Sequence, residues 1–220
     1  MNNEELISFL QAKETITIND ENPLFLTSDL HFFHKRIVEF TGRPTLIDNH
    51  TEWLVGQINN KVSTNASVFH LGDMFFSCTN EEAVNVLLRL NGNWSFVLGN
   101  HCNPSKLLTV VNTVNKIKGS THKVVGWYYR LLVRIEPKVK NEKVCKKQLI
   151  LSHFPIEDWE AMSYGSYMIH GHCHAKTVTH DDKPMSQPNN RLDVGLDNNP
   201  NWEPFSFEEA VRTIKTKRTN

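Results

Sequence analysis

The sequence predicts an α/β protein with mixed β-sheets, on three observations. Short apolar runs of the kind that buried strands carry recur along the chain, beginning with Leu24-Phe25-Leu26-Thr27 and Val68-Phe69-His70-Leu71. Helical spacing and capping residues fall between the early runs. The later runs follow one another closely, as hairpins would. With 220 residues the chain fits one domain, 1–220, with a sizeable core.

Taken in order, residues 3–13 are expected to form a short helix within an N-terminal extension, 1–22, which ends on the polar turn Asn19-Asp20-Glu21-Asn22-Pro23. After the first strand, residues 49–62 place Trp53, Leu54, Ile58 and Val62 at helical spacing. The second strand stops at Gly72-Asp73. Thr79-Asn80-Glu81-Glu82 then reads as a capping box, because a Thr at the N-cap and a Glu three residues on satisfy each other's backbone N–H. Phe96-Val97-Leu98 is a third strand, ending at Gly99-Asn100-His101. From Lys123 to Ile135 the text is β-rich, and Gln148–Leu151 and Tyr167–Ile169 are further strands. Arg191–Val194 is a late strand, and a second capping box, Ser206 to Glu209, opens a C-terminal helix over 206–217.

Composition excludes several classes. The 24 basic and 24 acidic residues cancel, which argues against a protein that holds nucleic acid by bulk charge. With 39% hydrophobic and 22% charged residues, the chain reads as globular and soluble, not disordered. Cys78, Cys102, Cys145 and Cys173 form no CxxC pair, so reduced thiols are expected and a disulfide framework is not. The opening MNNEELISFLQAKE has no apolar signal core, and no run approaches the roughly 18 apolar residues of a membrane span. The expected location is the cytoplasm.

The eleven histidines are the unusual count, and their placement carries the argument. Ligand-type side chains stand just after the apolar runs: Asp29 and His31, then Asp73, Asn100, His153, and finally His172 and His174. Loops at the carboxyl ends of strands in open α/β sheets converge on one edge, where ligands bind. Asp29/His31 and His172/His174 are each two apart, which in extended backbone directs both side chains to one face. Carboxylate, imidazole and amide donors suit a divalent ion such as manganese, iron or zinc. Seven such residues are too many for one tetrahedral ion, whereas two ions sharing a carboxylate would use them all.

These motifs, Asp29-x-His31, Gly72-Asp73, Gly99-Asn100-His101, His153 and Gly171-His172-x-His174, resemble the ordered set of the calcineurin-like metallophosphoesterases. The resemblance spans roughly residues 24–200, and TSDLHFFHKRIVEF with FTGRP is similar to small single-domain bacterial and phage members. It implies a four-layer αββα sandwich, two mixed β-sheets flanked by helices. It also implies Asp29, His31 and His174 on one ion, Asn100, His153 and His172 on the other, and Asp73 bridging. His101 would lie beside the scissile phosphate. Manganese is the expected metal, with iron, zinc and nickel as alternatives. Cys102 stands where the family usually has an acid after Gly-Asn-His, and Met74-Phe75-Phe76 replaces the acidic, Arg-bearing stretch of protein Ser/Thr phosphatases.

The function expected from this reading is metal-dependent hydrolysis of a phosphodiester or phosphomonoester, with a small nucleotide-like substrate. His34, one turn beyond His31, and Arg43, able to clamp a phosphate bidentately, are candidate substrate contacts. The alternatives are a nuclease on single-stranded or polymeric nucleic acid and a non-catalytic scaffold of the same fold. Ten basic against two acidic residues between Lys116 and Lys147 favour the nuclease, but lysines on a solvated hairpin also protect a sheet edge. Of the remaining histidines, His70 is expected to be a hydrogen-bonded core residue and His50, His122 and His180 surface residues. Cys173, between two ligands, is expected to be a packed thiol.

Overall fold

The computed structural model describes residues 13–18, 21–127, 131–137, 147–176, 179–180, 183–184 and 190–216. The strands are β1 (Lys13–Ile18), β2 (Leu24–Thr27), β3 (Ser67–Leu71), β4 (Asn93–Leu98), β5 (Lys123–Trp127), β6 (Leu131–Pro137), β7 (Lys147–Leu151), β8 (Tyr167–His170), β9 (Thr179–His180), β10 (Lys183–Pro184), β11 (Arg191–Asp193) and β12 (Phe205–Ser206). The helices are α1 (Ile37–Thr41), α2 (His50–Lys61), α3 (Asn80–Arg89), α4 (Pro104–Lys118) and α5 (Phe207–Thr216). Two five-stranded sheets form, in the orders β12-β2-β3-β4-β5 and β1-β6-β7-β8-β11, with β9 and β10 as a separate antiparallel pair. Both large sheets are mixed: β2 to β5 run parallel with β12 antiparallel at the edge, while β6 and β7 are the antiparallel pair of the second sheet. The chain is therefore an α/β protein built on two mixed sheets with flanking helices.

Strand alternation sorts the apolar side chains into two cores. Phe25, Val68, Trp94 and Phe96 face α2, α3 and α4, meeting Leu54, Ile58, Val86, Leu87, Val110 and Val114. Their neighbours Leu24, Leu26, Phe69, Leu71 and Val97 point the other way and meet Val133, Leu149, Leu151 and Ile169 of the second sheet. That is why β2 and β3 read as unbroken apolar runs: both faces are covered. Ala210 and Ile214 of α5 join this inter-sheet core. On the far face of the second sheet, Leu132, Ile150 and Met168 pack under Trp159 and Ile156. Among the described residues, no helix is long and apolar enough to cross a membrane.

Both predicted capping boxes form. Thr79 Oγ1 accepts the Glu82 N–H while Glu82 accepts the Thr79 N–H, and Ser206 and Glu209 do the same. Helix α4 is absent from the predicted elements, although its signals are present: Asn103 caps the Lys106 N–H at 3.0 Å, proline opens it and Gly119 closes it at φ 65°. The predicted helix over 3–13 lies outside the described residues except for Lys13, which opens β1. That strand, inside the stretch read as an extension, pairs parallel with β6. The β-rich text from Lys123 to Ile135 divides between sheets, β5 lying on β4 and β6 on β1 and β7. The lysine-rich turn with Lys138, Lys140 and Lys143, and also Cys145, fall outside the described residues.

Three histidines differ from expectation. His50 and His122 are buried, not on the surface, because each has a ring nitrogen bonded inside the fold. The His50 Nε2 lies 2.9 Å from Arg43 and the His122 Nδ1 accepts the Trp94 N–H at 2.9 Å. His70 is buried as expected, but neither ring nitrogen has a hydrogen-bond partner. It sits against Trp94 and Phe96 in the apolar layer. His180 is described for its backbone only.

Candidate metal centre

Five loops bring the seven residues to one end of the sandwich, following β2, β3, β4, β7 and β8. Backbone bonds lace these loops together: Asp29 N–H donates to Gly72 O at 3.0 Å, His31 N–H to Asp73 O at 2.9 Å, and Gly171 N–H to His153 O at 3.1 Å. The local conformation is not the extended one expected from the two-residue spacing. Asp29, His31, Asp73, His172 and His174 all have left-handed backbone, with φ from 47° to 71°. These residues follow their strands within four positions, where the chain leaves the sheet through turns with positive φ. Such positions are uncommon for non-glycine residues and concentrate at functional sites.

Asp29 Oδ1 lies 3.8 Å from both His31 Nε2 and His174 Nε2, and those two nitrogens are 3.3 Å apart. Asp73 Oδ2 lies 3.9 Å from His31 Nε2 on one side and 3.6 Å from His153 Nε2 on the other. His153 Nε2 and His172 Nδ1 reach Asn100 Oδ1 at 2.7 and 3.1 Å. Asp29, His31 and His174 thus form one group of ligand atoms within 4.8 Å of one another, and Asp29, Asp73 and His153 form a second. Asp29 is common to the two groups, while Asp73 Oδ2 lies between His31 of the first and His153 of the second.

The donor chemistry fits cations. Burial holds the His153 imidazole below its usual range, so it carries one proton. Its Nδ1 donates that proton to Leu71 O at 2.8 Å, which leaves the Nε2 lone pair facing Asn100 Oδ1. Two acceptors face each other there. Asp29 Oδ1 is buried without a hydrogen-bond partner, while Oδ2 accepts the His172 N–H at 2.8 Å. Burial first, and then the nearby Asp193 and Asp73 charges, raise Asp29 to about 7. Burial likewise drives His31 strongly down, aided by His174 and Arg43. Burial thus disfavours the charged form of Asp29, His31 and His153 alike, whereas His174, bonded to Asp197, is raised.

A second ring of residues orients the first. His174 Nδ1 lies 2.5 Å from Asp197 Oδ2, a carboxylate–histidine pairing that fixes the ring and leaves Nε2 for the centre. Arg43 donates to Asp197 through Nε at 2.8 Å, and to the carbonyls of Leu30 and Asp29, each at 2.7 Å. Arg43 is therefore not a substrate clamp. Its side chain is fully buried and its donors are committed to the protein, so it braces the Asp29 loop. His101 donates its backbone N–H to Asp73 Oδ1 at 2.9 Å, leaving Oδ2 to point inward, while its side chain is exposed. Cys102 serves Asp73: its Sγ accepts the Asp73 N–H at 3.3 Å. His34 is half-buried, its ring centroid 5.6 Å from that of His31.

Sequence reasoning missed Asp197 and His50, since nothing local marks either. It also left the glycines unexplained. A Cβ on Gly99 would sit 2.7 Å from the Asp73 nitrogen and closer still to Oδ1, and one on Gly171 would strike Ser28 and Asp29. These glycines are required by close approach of backbone to ligand. His170, Cys173 and Asp193 also gather within 4.8 Å, but Asp193 accepts the Gly195 and Ala175 N–H groups and burial pushes the Cys173 thiol up to about 12. That group braces the loop carrying His172 and His174.

No family model matches the chain. It is 26% identical over 172 residues to the Gene 66 protein of Mycobacterium phage L5, covering 70% of this chain and 78% of that one. An uncharacterized protein of Methanocaldococcus jannaschii is 24% identical over 195 residues, covering 87% and 91%. Among solved structures, a protein of unknown function from Aquifex aeolicus superposes with a TM-score of 0.59 at 15% identity, over 87% of this chain and 99% of that one. At that identity the likeness speaks for the fold alone.

Proposed function

We propose that the protein is a binuclear metal-dependent phosphoesterase of the calcineurin-like kind, acting on a phosphodiester or phosphomonoester of small, nucleotide-like size. The observation that carries this reading is Asp73 Oδ2, held between His31 Nε2 at 3.9 Å and His153 Nε2 at 3.6 Å. Asp29, His31 and His174 would hold one ion and Asn100, His153 and His172 the other, with Asp73 shared. When bound, two divalent ions supply Lewis acidity toward phosphoryl oxygens and a nucleophile at neutral pH.

The chain's own residues do the rest. Asp73 would set the spacing of the two half-sites, because its Oδ1 is tied to the His101 N–H and its Oδ2 is left facing both His31 and His153. Asp197 keeps His174 in one orientation, and Leu71 O keeps the His153 proton on Nδ1. His101 is the general acid toward the departing oxygen: its side chain is exposed at the mouth, with its ring centroid 5.8 Å from that of His31. Manganese is the expected ion, with iron, zinc and nickel as alternatives, since mixed carboxylate and imidazole donors without thiolate accommodate each of them.

The test is a hydrolysis panel of chromogenic mono- and diesters, nucleotides and single strands, with the metal-stripped protein reloaded with manganese, iron, zinc or nickel. Metal-dependent turnover with two ions per chain is expected. Saturation at one ion, or no turnover on any ester, overturns the reading.

A further inference from the structure

A row of rings leads away from the His31 side of the centre. His101 meets Phe76 edge-on at 5.7 Å between centroids, and Phe76 stacks on His34 at 4.1 Å and 28°. His34 in turn meets Phe40 at 6.1 Å. Phe40 ends the row on the short helix α1, 53% exposed, and the Arg36 guanidinium carbon stands 4.7 Å from its ring centroid. Arg36 is itself 70% exposed and lies 3.8 Å from the Glu39 carboxylate. Lys35 beside it is exposed as well.

From this geometry we infer that the ring of His34, the exposed face of Phe40 and the Arg36 guanidinium form the subsite for the leaving group, and that the group it takes is a nucleobase. The inference rests on the phosphoesterase reading and adds to it the side on which the leaving group lies and the chemistry that selects it. Two observations carry it, together with the role proposed for His101. The row begins at His101, so a group attached to an oxygen that departs toward His101 would be led past Phe76 and His34. Its far end pairs an exposed aromatic face with a planar cation, and both stack on a heteroaromatic ring. Finally, Phe40 stands two ring contacts from His31 and is more than half exposed, with Arg36 over its ring, His34 at 6.1 Å and the rest of the ring open to solvent. A sugar or simple alkyl alcohol offers nothing to that surface.

The experiment compares direct binding of a nucleoside 5′-monophosphate and of ribose 5-phosphate to the manganese-loaded protein by calorimetry. The two ligands present the same phosphate and sugar and differ by the base. Stacking adds about tenfold or more to affinity per base, so the nucleotide is expected to bind at least about tenfold more tightly. Phe40→Ala is expected to collapse this ratio towards one, and Phe40→Trp to preserve or raise it. Phe40→Leu keeps apolar bulk, so a collapse there shows that the ring face matters and not the fold of α1. A ratio near one in the wild-type protein, with both ligands bound only when metal is present, overturns the base subsite and leaves the phosphoester centre standing. Absence of metal-dependent binding by either ligand overturns the centre, and the subsite with it.

Discussion

The imidazole of His174 and the carboxylate of Asp197 meet at 2.5 Å, and Arg43 holds that same carboxylate from behind at 2.8 Å. Burial alone would lower the His174 pKa, but the Asp197 hydrogen bond and the Asp29 and Asp197 charges outweigh it and raise the net value. Asp197 therefore sets the orientation and basicity of His174, a proposed ligand, from outside the cluster. Asp197→Asn is expected to weaken metal binding at the Asp29, His31 and His174 group about 10- to 100-fold while sparing the Asn100, His153 and His172 group. Metal content after dialysis against graded manganese measures both sites separately.

Asp73→Asn should remove turnover and both ions together. His101→Ala should lower turnover about 10²- to 10⁴-fold, the range typical of a lost general acid, with two ions retained. Metal analysis beside steady-state rates separates these outcomes, and an ion missing from His101→Ala would move that residue among the ligands.

Arg43→Ala should act on stability and on the Asp29 loop, not on substrate affinity. Removing one partner of a buried ion pair costs about 3–5 kcal/mol, because Asp197 loses its fixed positive charge and is left with His174 as its side-chain partner. Arg43→Lys should recover little, since a single ammonium cannot reach Asp197 and two carbonyls in a fixed fork. Urea melts give the stability, and an unchanged KM for any hydrolysed ester gives the contrast.

Gly99→Ala and Gly171→Ala should lose metal while keeping secondary structure. The added methyl displaces Asp73 in the first case and Ser28 with Asp29 in the second. Circular dichroism and metal content, read together, check this.

Acid should destabilise the fold through His70 and His122. Burial lowers them to about 3 and about 4 from the ordinary 6.5. Both are neutral in the folded chain at neutral pH, whereas the unfolded chain takes up protons below about 6.5. Their stabilising contribution is intact above that pH and is lost as pH falls toward 4 and then 3. His70→Leu should flatten part of this slope, as unfolding free energies measured between pH 7 and 4 would record.

Much of the fold was legible because its central strands are short and covered on both faces, so that Leu24–Thr27 and Val68–Leu71 needed no periodicity to stand out. The ligand positions were legible because each follows a strand end. What was not legible is non-local. In β1, only Ile16 and Ile18 are apolar, and what makes it a strand is Lys13 lying opposite Leu132. Asp197 reaches back to Arg43 and His174 across the whole site. The mistaken expectation of extended backbone at Asp29 and His31 came from applying strand alternation past the end of a strand, where the turn takes over.

The order of strands has a consequence for how the molecule is made. Strands β2 to β5 form their parallel sheet within the first 127 residues, and that stretch contains Asp29, His31, Asp73 and Asn100. His153, His172 and His174 arrive later on the other sheet, and Asp197 later still. A nascent chain thus presents carboxylates long before the imidazoles that complete each group. In the proposed centre, completing each group is a late event of folding, one that waits for residues 153–174 to be made.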